Sequence, residues 1–549
     1  MKKLYFGGDI ITMCREEDAP EAVVTEDGII RYVGSLDEAE RLCAAEEKSG
    51  KEEEGGMLSA GWRETEKIDL QGRTLMPSFI DPHSHFSQVA QGITTCDLSE
   101  AQSFEEIRDT LKTYLEEREI DENGIVFATG YDHNFLREER HPDRHLLDQV
   151  SETVPVYISH SSGHMGVANS ALLRLAGLTA DTPDPAGGKF GREEDGSLSG
   201  YVEEVPALMK VLLPAMALMK ADMKQQMDLA QEMYLKYGIT TVQEGAAMVQ
   251  GAQGLAQYAA TGALKLDLVA YILENEYEAG MKSLAEYDRK YKDRFKIGGA
   301  KIILDGSPQG KSAWLSRPYE GENEYCGYPS HEDAYVENAV LKAVRGGYQI
   351  LAHCNGDAAS QQFLDSYKKA VQTVENPDMD LRPVMIHCQT VREDQLDVMK
   401  ELRMIPSIFI GHTYYWGDVH LKNLGQKRGA NISPVKWALE RGLVYNFHQD
   451  APVTKPDMLH SVWCAANRIT RKGQPIGQEQ CISVYDALKG VTINAAYEYH
   501  EEHTKGTLEA GKLADLVILD QNPLKVEKEE VKNIRVVETI KHGETCYRA

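Results

Sequence analysis

Long hydrophobic runs are missing from this 549-residue chain, since no apolar stretch approaches the roughly 20 residues of a membrane-spanning helix. The first residues, MKKLYFGGDIITM, hold two lysines, but Gly-Gly-Asp interrupts the apolar residues after three positions. A secretory signal peptide needs a longer apolar core, so none is expected here. The nine cysteines are scattered, odd in number and without a CxxC pair. This usage argues against a disulfide framework and predicts a reduced, cytoplasmic protein.

Positively charged residues are also few. The chain has 59 lysines and arginines but 86 aspartates and glutamates, which gives a net charge of −27. A broadly acidic surface repels nucleic acid and anionic membranes. The charge therefore predicts no nucleic acid and no membrane as a partner, while a homodimer stays open. Hydrophobic residues make up 42% of the chain, enough for a large core. The length suggests roughly two to four domains.

Eight short apolar runs end in polar residues, a pattern typical of buried parallel strands. Most intervals after residue 235 have room for a helix, for example in DAYVENAVLKAVRGG and REDQLDVMKELR. Buried strands that alternate with helices indicate a parallel α/β sheet, and eight repeats predict a closed (β/α)8 TIM-type barrel. The eight runs are RTLMPSFIDPHSH, YGITTVQEG, LDLVAYIL, GGAKIILDG, GYQILAHC, RPVMIHC, MIPSIFIGH and LVYNFHQD.

Two departures from this repeat predict further domains. About 150 residues lie between His85 and YGITTV, and they hold strand candidates of their own in GIVFATG and VPVYISHSSG. We expect a large insertion after the first barrel strand, over the catalytic face, because a simple connection is far shorter. Both chain ends have β character and are predicted to form a small β-sandwich. The predicted domains are residues 1–72 plus 500–549 (β-sandwich), 73–92 plus 235–499 (metal-dependent barrel) and 93–234 (inserted substrate-specificity domain).

The stretch FIDPHSHF, residues 79–86, places two histidines one residue apart at the end of the first run. Side chains two residues apart in a strand face the same side, so His83 and His85 project together. They do so at the carboxyl end of the barrel, where such enzymes keep their chemistry. Neutral imidazoles suit zinc and similar transition metals. Alone the pair is weak support for a metal site, so other strand ends must supply ligands.

Other strand ends carry residues of the same type. His353 closes YQILAHC, His387 closes PVMIHC and Asp450 closes VYNFHQD. Four histidines and an aspartate at the strand ends of one barrel predict a metal site. Lys301 lies inside GGAKIILDG, where an ammonium pointing into the barrel is costly unless its charge is removed or paired. Spacing alone leaves open that Lys301 faces outward or forms an ion pair.

The order HxH, Lys, His, His, Asp on strands one, four, five, six and eight resembles the amidohydrolase superfamily, and more narrowly its amidohydrolase 3, or YtcJ-like, family. The resemblance covers nearly the whole chain. GYDHNF and HPDRHLLDQV, with VPVYISHSSGHMGVANSALL, look like that family's inserted segment. The segments similar to its later signatures are AKIILDGSPQGKSAWL, HCNGDAA, FHQDAPV, ISVYDALKGVTINAAY and GTLEAGKLADLVILDQNPL.

This resemblance implies a metal-dependent hydrolase of a C–N, amide-type bond, other than a peptide bond, in a small molecule. Lys301 would be carboxylated and bridge two divalent ions, expected to be Zn²⁺, although a single ion per chain stays open. A metal-activated hydroxide would attack the carbonyl, with Asp450 as the general acid/base that moves the proton to the leaving nitrogen. The implied metal ligands are His83, His85, Lys301, His353, His387 and Asp450.

Two other functions stay open. A mononuclear deaminase of the same superfamily does without a bridging lysine, so Lys301 argues against it. Asp450 argues against a non-catalytic, metal-binding regulatory protein, because loss of the acid/base residue is the shortest route to an inactive barrel. His448 stands two residues before Asp450, and a regular strand would put both on one side. His448 is therefore expected either to orient Asp450 or to fill the core.

Four further residues are candidates for substrate binding. His164 in SSGHMGVANS and Asp132 in GYDHN lie in the segments that resemble the family's insertion. His412 in GHTYYWGD follows strand seven, and Asp305 in DGSPQGK follows strand four. The alternative for each is a packed or solvated loop residue. Because the inserted segment mixes aromatic rings with histidines, we expect a small amide-type substrate with an apolar or aromatic group.

Overall fold

The computed structural model describes residues 1–52, 65–93, 95–161, 163–185, 187–216, 218, 223–376 and 379–549. The chain divides into two compact units. The larger unit comprises Met1–Ser87 and Gln231–Ala549, and the inserted unit comprises Gln88–Ala230. Within the described ranges, no helix is long and apolar enough to cross a membrane.

The larger unit is built around a sheet of eight parallel strands, one in each of the eight predicted runs. Hydrogen-bonded ladders join the strands in chain order. The sheet is curled, as a hydrogen bond between its first and last strands shows. The backbone N–H of His85, after the first strand, donates to the carbonyl of Ala451, after the eighth, at 2.8 Å. This confirms an α/β barrel-like fold. The strands are Phe79–Ile80, Ile239–Ala247, Asp267–Leu273, Phe295–Ile303, Gln349–Cys354, Val384–His387, Ile405–Ile408 and Asn446–Phe447.

Helices alternate with these strands. The predicted helix in DAYVENAVLKAVRGG is Asp333–Arg345, which buries Val336, Val340 and Val344 at four-residue spacing along one face. The strand DLVAYIL is buried at every position but the last, as expected for a parallel strand covered on both faces. The other helices from Met223 onward are Met223–Lys236, Val249–Ala260, Tyr277–Ser283, Asp357–Gln372, Glu393–Glu401, His412–Tyr415, Gly417–Ala430, Val435–Glu440, Met458–Asn467, Val484–Gly490 and Ile493–Glu498.

Both chain ends form sheets in the larger unit. A four-stranded sheet and a five-stranded sheet share one hydrophobic cluster, in which Tyr5 and Ile30 of the first meet Leu75 and Leu516 of the second. The barrel belongs to the same compact unit, so a separate β-sandwich domain stays a prediction. The strands are Lys2–Phe6, Ala22–Glu26, Ile29–Gly34 and Glu66–Asp69, and then Asp9–Ile10, Thr74–Pro77, Leu516–Leu519, Val536–Lys541 and Glu544–Arg548. The helix Leu36–Glu52 follows the first hairpin.

In the sequence, the inserted unit lies between the first and second barrel strands, and it has a hydrophobic core of its own. GIVFATG and VPVYISHSSG contain Val126–Tyr131 and Val156–His160, which pair in parallel. The predicted bounds of 93–234 differ by a few residues from those of this unit. Its other strands are Cys96–Asp97, Met165–Ala168, Lys189–Arg192 and Leu198–Glu203, and its helices are Phe104–Glu117, Arg144–Asp148, Ser170–Leu175 and Val205–Met216. The helix Phe86–Gly92 begins in the larger unit and continues into the inserted one.

Candidate metal centre

Three predicted ligands meet where the first and eighth barrel strands come together. His83 and His85 follow strand one, and Asp450 follows strand eight. Oδ1 of Asp450 lies 3.6 Å from Nε2 of His83 and 3.3 Å from Nε2 of His85. Each of the three residues offers a donor atom, and these atoms lie within 4.8 Å of one another. The curl of the sheet explains this meeting of residues that are far apart in the chain.

The other three predicted ligands lie beside this group. Nζ of Lys301, in strand four, is 3.2 Å from Nε2 of His83. The ring of His387, at the end of strand six, is 6.0 Å from that of His83 and 4.5 Å from that of His353. Nε2 of His387 is 3.8 Å from Oδ2 of Asp450. The six residues, which we call the barrel cluster, are therefore brought together, while their role as ligands stays a prediction.

Two residues of the barrel cluster have a backbone conformation that is rare outside glycine. The angle φ is 75° at His387 and 53° at Asp450. Such left-handed residues cost roughly 1–3 kcal/mol each and persist only where the surrounding structure enforces them. They concentrate at active sites and ligand sites. The conformation at these two positions agrees with a site in the barrel cluster, although other residues of the described chain adopt it too.

Burial and neighbouring charges set the protonation of the barrel cluster. Burial lowers the pKa of His83 and of His387 well below the usual value, so both imidazoles are neutral. Burial also lowers the pKa of Lys301, to about 8, although Asp450 opposes this. Burial raises the pKa of Asp450, but the contact with His85 and the nearby rings outweigh it and hold that pKa well below its usual range. The cluster therefore offers neutral nitrogens and a carboxylate.

Hydrogen bonds to two ligand histidines fix which ring nitrogen faces the barrel cluster. Nδ1 of His83 lies 2.6 Å from Oε1 of Gln243. An amide oxygen only accepts, so Nδ1 carries the proton and Nε2 keeps its lone pair towards Lys301. Nδ1 of His353 lies 3.2 Å from Oδ1 of Asp305 and is held in the same way. Metal-binding histidines usually donate their second N–H to such an oxygen.

His448 contacts His387 and not Asp450. Its Nε2 is 3.2 Å from Nδ1 of His387, and its Nδ1 is 3.0 Å from Oγ of Ser407. Strand eight ends at Phe447, and the backbone of Asp450 is left-handed, so the alternation of strand side chains stops before Asp450. Of the two alternatives for His448, its contacts with His387 and Ser407 favour the core position, and an orienting role towards Asp450 stays a prediction. His448 is fully buried and acts as a support for His387.

The carboxylate of Asp305 is fixed by hydrogen bonds in the interior. It is buried and accepts hydrogen bonds from the backbone N–H groups of Trp314, Asn355 and Gly356 at 2.7–3.0 Å. Nδ1 of His353 is a fourth partner. Since both oxygens already accept hydrogen bonds in the interior, Asp305 holds His353 and the loops around it. A contact of Asp305 with a substrate stays a prediction.

His412 lies beside the barrel cluster. It is buried after strand seven, with Nδ1 3.0 Å from Nε2 of His420. Its ring is 4.7 Å from that of Phe409, which is 6.2 Å from the ring of His387. A substrate contact by His412 stays a prediction, and its pairing with His420 was not foreseen from the sequence.

The two remaining candidates belong to the inserted unit. The side chain of His164 is 63% exposed, and its Nδ1 lies 3.2 Å from Oε2 of Glu204. Asp132 lies between His133 and His160, with its Oδ1 3.8 Å and 3.5 Å from their ring nitrogens. Their predicted contact with a substrate at the barrel stays a prediction.

Sequence reasoning missed the polar residues that hold the ligands in place. Gln243 donates from Nε2 to Oη of Tyr499 at 3.1 Å and lies 3.4 Å from Oε1 of Glu498. Burial raises the pKa of Glu498 to about 8. A buried amide in the middle of an apolar strand is unusual without a partner. The glutamine in YGITTVQEG was therefore the one signal that could have pointed to this network.

The donor set of the barrel cluster fits a divalent transition metal. Oδ1 of Asp450 is buried and, within the described part of the chain, has no hydrogen-bond partner. Together with the imidazoles of His83 and His85 it makes a ligand set that zinc accepts. Lys301 fits only without its positive charge, since an ammonium donates hydrogen bonds and cannot bind a cation. Carboxylation of the amine would remove that charge and add two ligand oxygens.

Comparisons with known proteins place the chain in a family. The sequence model of the amidohydrolase family matches residues 66–547. The protein YtcJ of Bacillus subtilis (strain 168) is 25% identical over 558 aligned residues, which cover 100% of this chain and 99% of that protein. N-substituted formamide deformylase of Arthrobacter pascens is 25% identical over 558 aligned residues, which cover 99% of this chain and 98% of that enzyme.

A solved structure shows the same fold. The crystal structure of an uncharacterized metal-dependent hydrolase from Pyrococcus horikoshii OT3 matches with a TM-score of 0.73 and 24% sequence identity. The match covers 96% of this chain and 99% of that one. The resemblance drawn from the sequence motifs is thereby confirmed, and the chain belongs to the amidohydrolase family.

Proposed function

We propose that this protein is a metal-dependent hydrolase that cleaves a C–N, amide-type bond in a small molecule. The proposal rests on the barrel cluster, where four histidines, Asp450 and the buried Lys301 converge at the carboxyl ends of the strands. Burying a charged aspartate and a lysine is costly unless the charges are paired or bind a metal. Membership of the amidohydrolase family supports the same reaction class.

Two zinc ions per chain are the proposed cofactor. When bound, such ions polarise a carbonyl group and lower the pKa of a water molecule towards neutrality. Zinc is proposed because imidazole and carboxylate ligands both suit it. The proposed ligands are His83, His85 and Asp450 for the first ion, His353 and His387 for the second, and carboxylated Lys301 for both.

Asp450 is the proposed general acid and base. Its carboxylate is ionised, because the contact with His85 and the nearby rings hold its pKa well below the usual range although burial raises it. It can therefore take the proton of the attacking water and deliver it to the leaving nitrogen, which departs as an amine. Oδ1 lies 3.3 Å from Nε2 of His85, so the carboxylate is next to a proposed metal ligand.

Gln243, Asp305 and His448 are the proposed positioning residues. Each contacts Nδ1 of one ligand histidine, at 2.6 Å, 3.2 Å and 3.2 Å respectively. By holding Nδ1 they keep Nε2 turned towards the barrel cluster. Partners of this kind are worth about 10–100-fold in metal affinity in other proteins.

Aromatic rings next to the barrel cluster suit an apolar or aromatic group on the substrate. Phe409 lies 4.7 Å from His412, and His412 lies 4.6 Å from Trp416. The ring of Tyr415 follows at 5.7 Å from Trp416. We call these four side chains the aromatic wall. Its position and the full-length similarity to N-substituted formamide deformylase support an N-formyl or other N-acyl amine as substrate.

The inserted unit is the proposed specificity domain. It interrupts the barrel after strand one, whose carboxyl end carries His83 and His85, and loops at this end of barrel enzymes commonly select the substrate. His164 is its proposed substrate contact, because it stands in the segment that resembles the family's insertion. The variant His164→Ala tests whether this unit contacts the substrate, because it should change the discrimination between amides.

A panel of N-formyl and N-acetyl amines, both alkyl and aryl, tests the proposed reaction. The metal-loaded protein should release an amine and a carboxylate, and His83→Ala should lose both metal and turnover. Amino-substituted heterocycles belong in the same panel, since a deaminase would release ammonia from them. Ammonia release alone, or no turnover of any amide by fully loaded protein, would overturn the proposal.

A further inference from the structure

Three metal-binding side chains meet in the inserted unit. Asp132 and His133 directly follow one strand of its six-stranded sheet, and His160 ends the parallel neighbour. The strand register places His160 opposite Tyr131, so both strand ends meet at the same edge of the sheet. The donor atoms of Asp132, His133 and His160 lie within 4.8 Å of one another. All three residues belong to one compact unit, so the grouping does not depend on the barrel.

The distances between these donor atoms match those around a single ion. Nδ1 of His133 lies 3.2 Å from Nε2 of His160. Oδ1 of Asp132 lies 3.5 Å from Nε2 of His160 and 3.8 Å from Nδ1 of His133. Zinc bonds of about 2.0–2.1 Å in a tetrahedral site hold neighbouring donor atoms roughly 3.3–3.4 Å apart. The three separations bracket this value, so an ion fits between the atoms with little movement of the side chains.

The protonation of the group also suits a cation. Burial raises the pKa of Asp132, but hydrogen bonds from His160 and Asn134 outweigh it and lower that pKa to about 2. Burial and the nearby His160 lower the pKa of His133. A carboxylate and a neutral imidazole are the forms that bind metal.

Neighbouring groups hold the donors in position. The backbone N–H and the side-chain amide of Asn134 each donate to Oδ1 of Asp132 at 2.9 Å. The ring of His141 lies 4.0 Å from that of His133. The side chain of His160 is 6% exposed and that of His133 is 28% exposed, so one side of the group is buried and the other is open.

We propose that Asp132, His133 and His160 bind one zinc ion or a similar divalent transition metal. Three protein ligands leave a fourth position open to water or to a ligand, as in zinc sites that are not purely structural. The ion joins the turn after one strand to the end of the next and so fixes the GYDHN segment. Without metal, the contact between the two histidines is an ordinary N–H···N hydrogen bond, and the metal content distinguishes the two cases.

Metal counts on full-length variants test this site. The protein is stripped with a chelator, reloaded with Zn²⁺ and analysed for bound metal, with far-UV circular dichroism as the check on folding. His133→Ala and Asp132→Asn should each hold one ion fewer per chain than the wild type. His145→Ala is the matched control, because His145 is an exposed histidine of the same unit that pairs with Glu193. This control should keep the full number of ions.

A variant without barrel ligands distinguishes metal binding at this site from metal binding in the barrel. The variant His83→Ala/His387→Ala removes one proposed ligand of each barrel ion and should still bind one Zn²⁺. With Co²⁺ in place of Zn²⁺, that variant should show visible absorption, and adding His133→Ala should abolish it. His133→Gln replaces His133→Ala if the smaller side chain disturbs folding. Folded His133 and Asp132 variants with the wild-type number of ions, or a barrel variant that binds none, would overturn the proposal whatever the barrel itself does.

Discussion

Nζ of Lys301 lies 3.2 Å from Nε2 of His83, and both side chains are about 1% exposed. An ammonium at this place would stand next to the proposed metal ligands, where it could not itself bind a metal ion and would repel one. A buried ammonium is costly unless its charge is compensated. Carbamate formation with CO2 replaces the positive charge by a negative one, and the same lysine then binds metal.

Lys301 should carry a carboxylate in the metal-loaded protein. Loading in ¹³C-labelled bicarbonate should give a carbamate NMR signal, and native mass spectrometry should show the mass of one additional CO2. Lys301→Met should lose the signal together with the activity. Lys296→Met is the control, because Lys296 is also buried but pairs with Glu501, and it should keep the signal. A bare lysine in a fully loaded site would refute carboxylation.

Asp450→Asn should keep the fold and much of the metal but lower kcat by about 10²–10⁴, the range for a lost general acid/base. The amide is nearly the same size as the carboxylate but cannot accept a proton from the attacking water. The comparison requires kcat at equal metal content, measured with saturating N-formyl amine. Near-normal kcat at full metal loading would remove Asp450 from the catalytic role.

His448→Ala should weaken metal binding by about 10–100-fold, because it removes the partner of Nδ1 of His387. Once metal is saturating, kcat should recover most of its wild-type value, which a general loss of folding would not allow. Ser407→Ala, which removes only the partner of His448, should have a smaller effect. Zinc titrations of the three proteins measure this. Unchanged metal affinity in His448→Ala would show that His448 only fills space.

Trp416→Ala should raise KM for aryl-substituted amides more than for methyl-substituted ones. The lost aromatic contact is worth about 0.5–1.5 kcal/mol, or roughly 2–10-fold in KM. His164→Ala tests the inserted unit with the same pair of substrates and should change their discrimination without changing metal content. If Trp416→Ala shifts KM equally for both substrates, the aromatic wall does not bind the substituent.

The strands and most of the candidate ligands were predictable because, apart from Lys301, each candidate ligand stands at the end of an apolar run. His353 in YQILAHC and His387 in PVMIHC show the pattern. The curled sheet then brings these strand ends together. The residues that hold the ligands were not predictable in this way. Gln243 lies 160 positions from His83 in the chain, and their contact exists only because strands one and two pair. A glutamine in an apolar run signals that a partner is needed, but nothing in its local sequence identifies His83 as that partner.

Two local arrangements were not visible in the sequence. The strand ends at Phe447 and the left-handed backbone at Asp450 breaks the alternation, so His448 packs against His387, as its core alternative predicts. The carboxylate of Asp305 turns inward, since three backbone N–H groups and His353 there require an acceptor, while its contact with a substrate stays a prediction. Both outcomes depend on backbone geometry that residue types alone do not reveal.

The most direct test of a metal-dependent amide hydrolase is the rate of amide cleavage while metal-free protein is titrated with Zn²⁺. Bound metal and released amine are measured on the same samples, with an N-formyl arylamine as substrate. We expect the rate to start near zero, to rise with metal bound by the barrel cluster and to level off when it is full, and we expect no rise in His83→Ala. A rate independent of added metal, or full metal loading without amide cleavage, would contradict the proposed function.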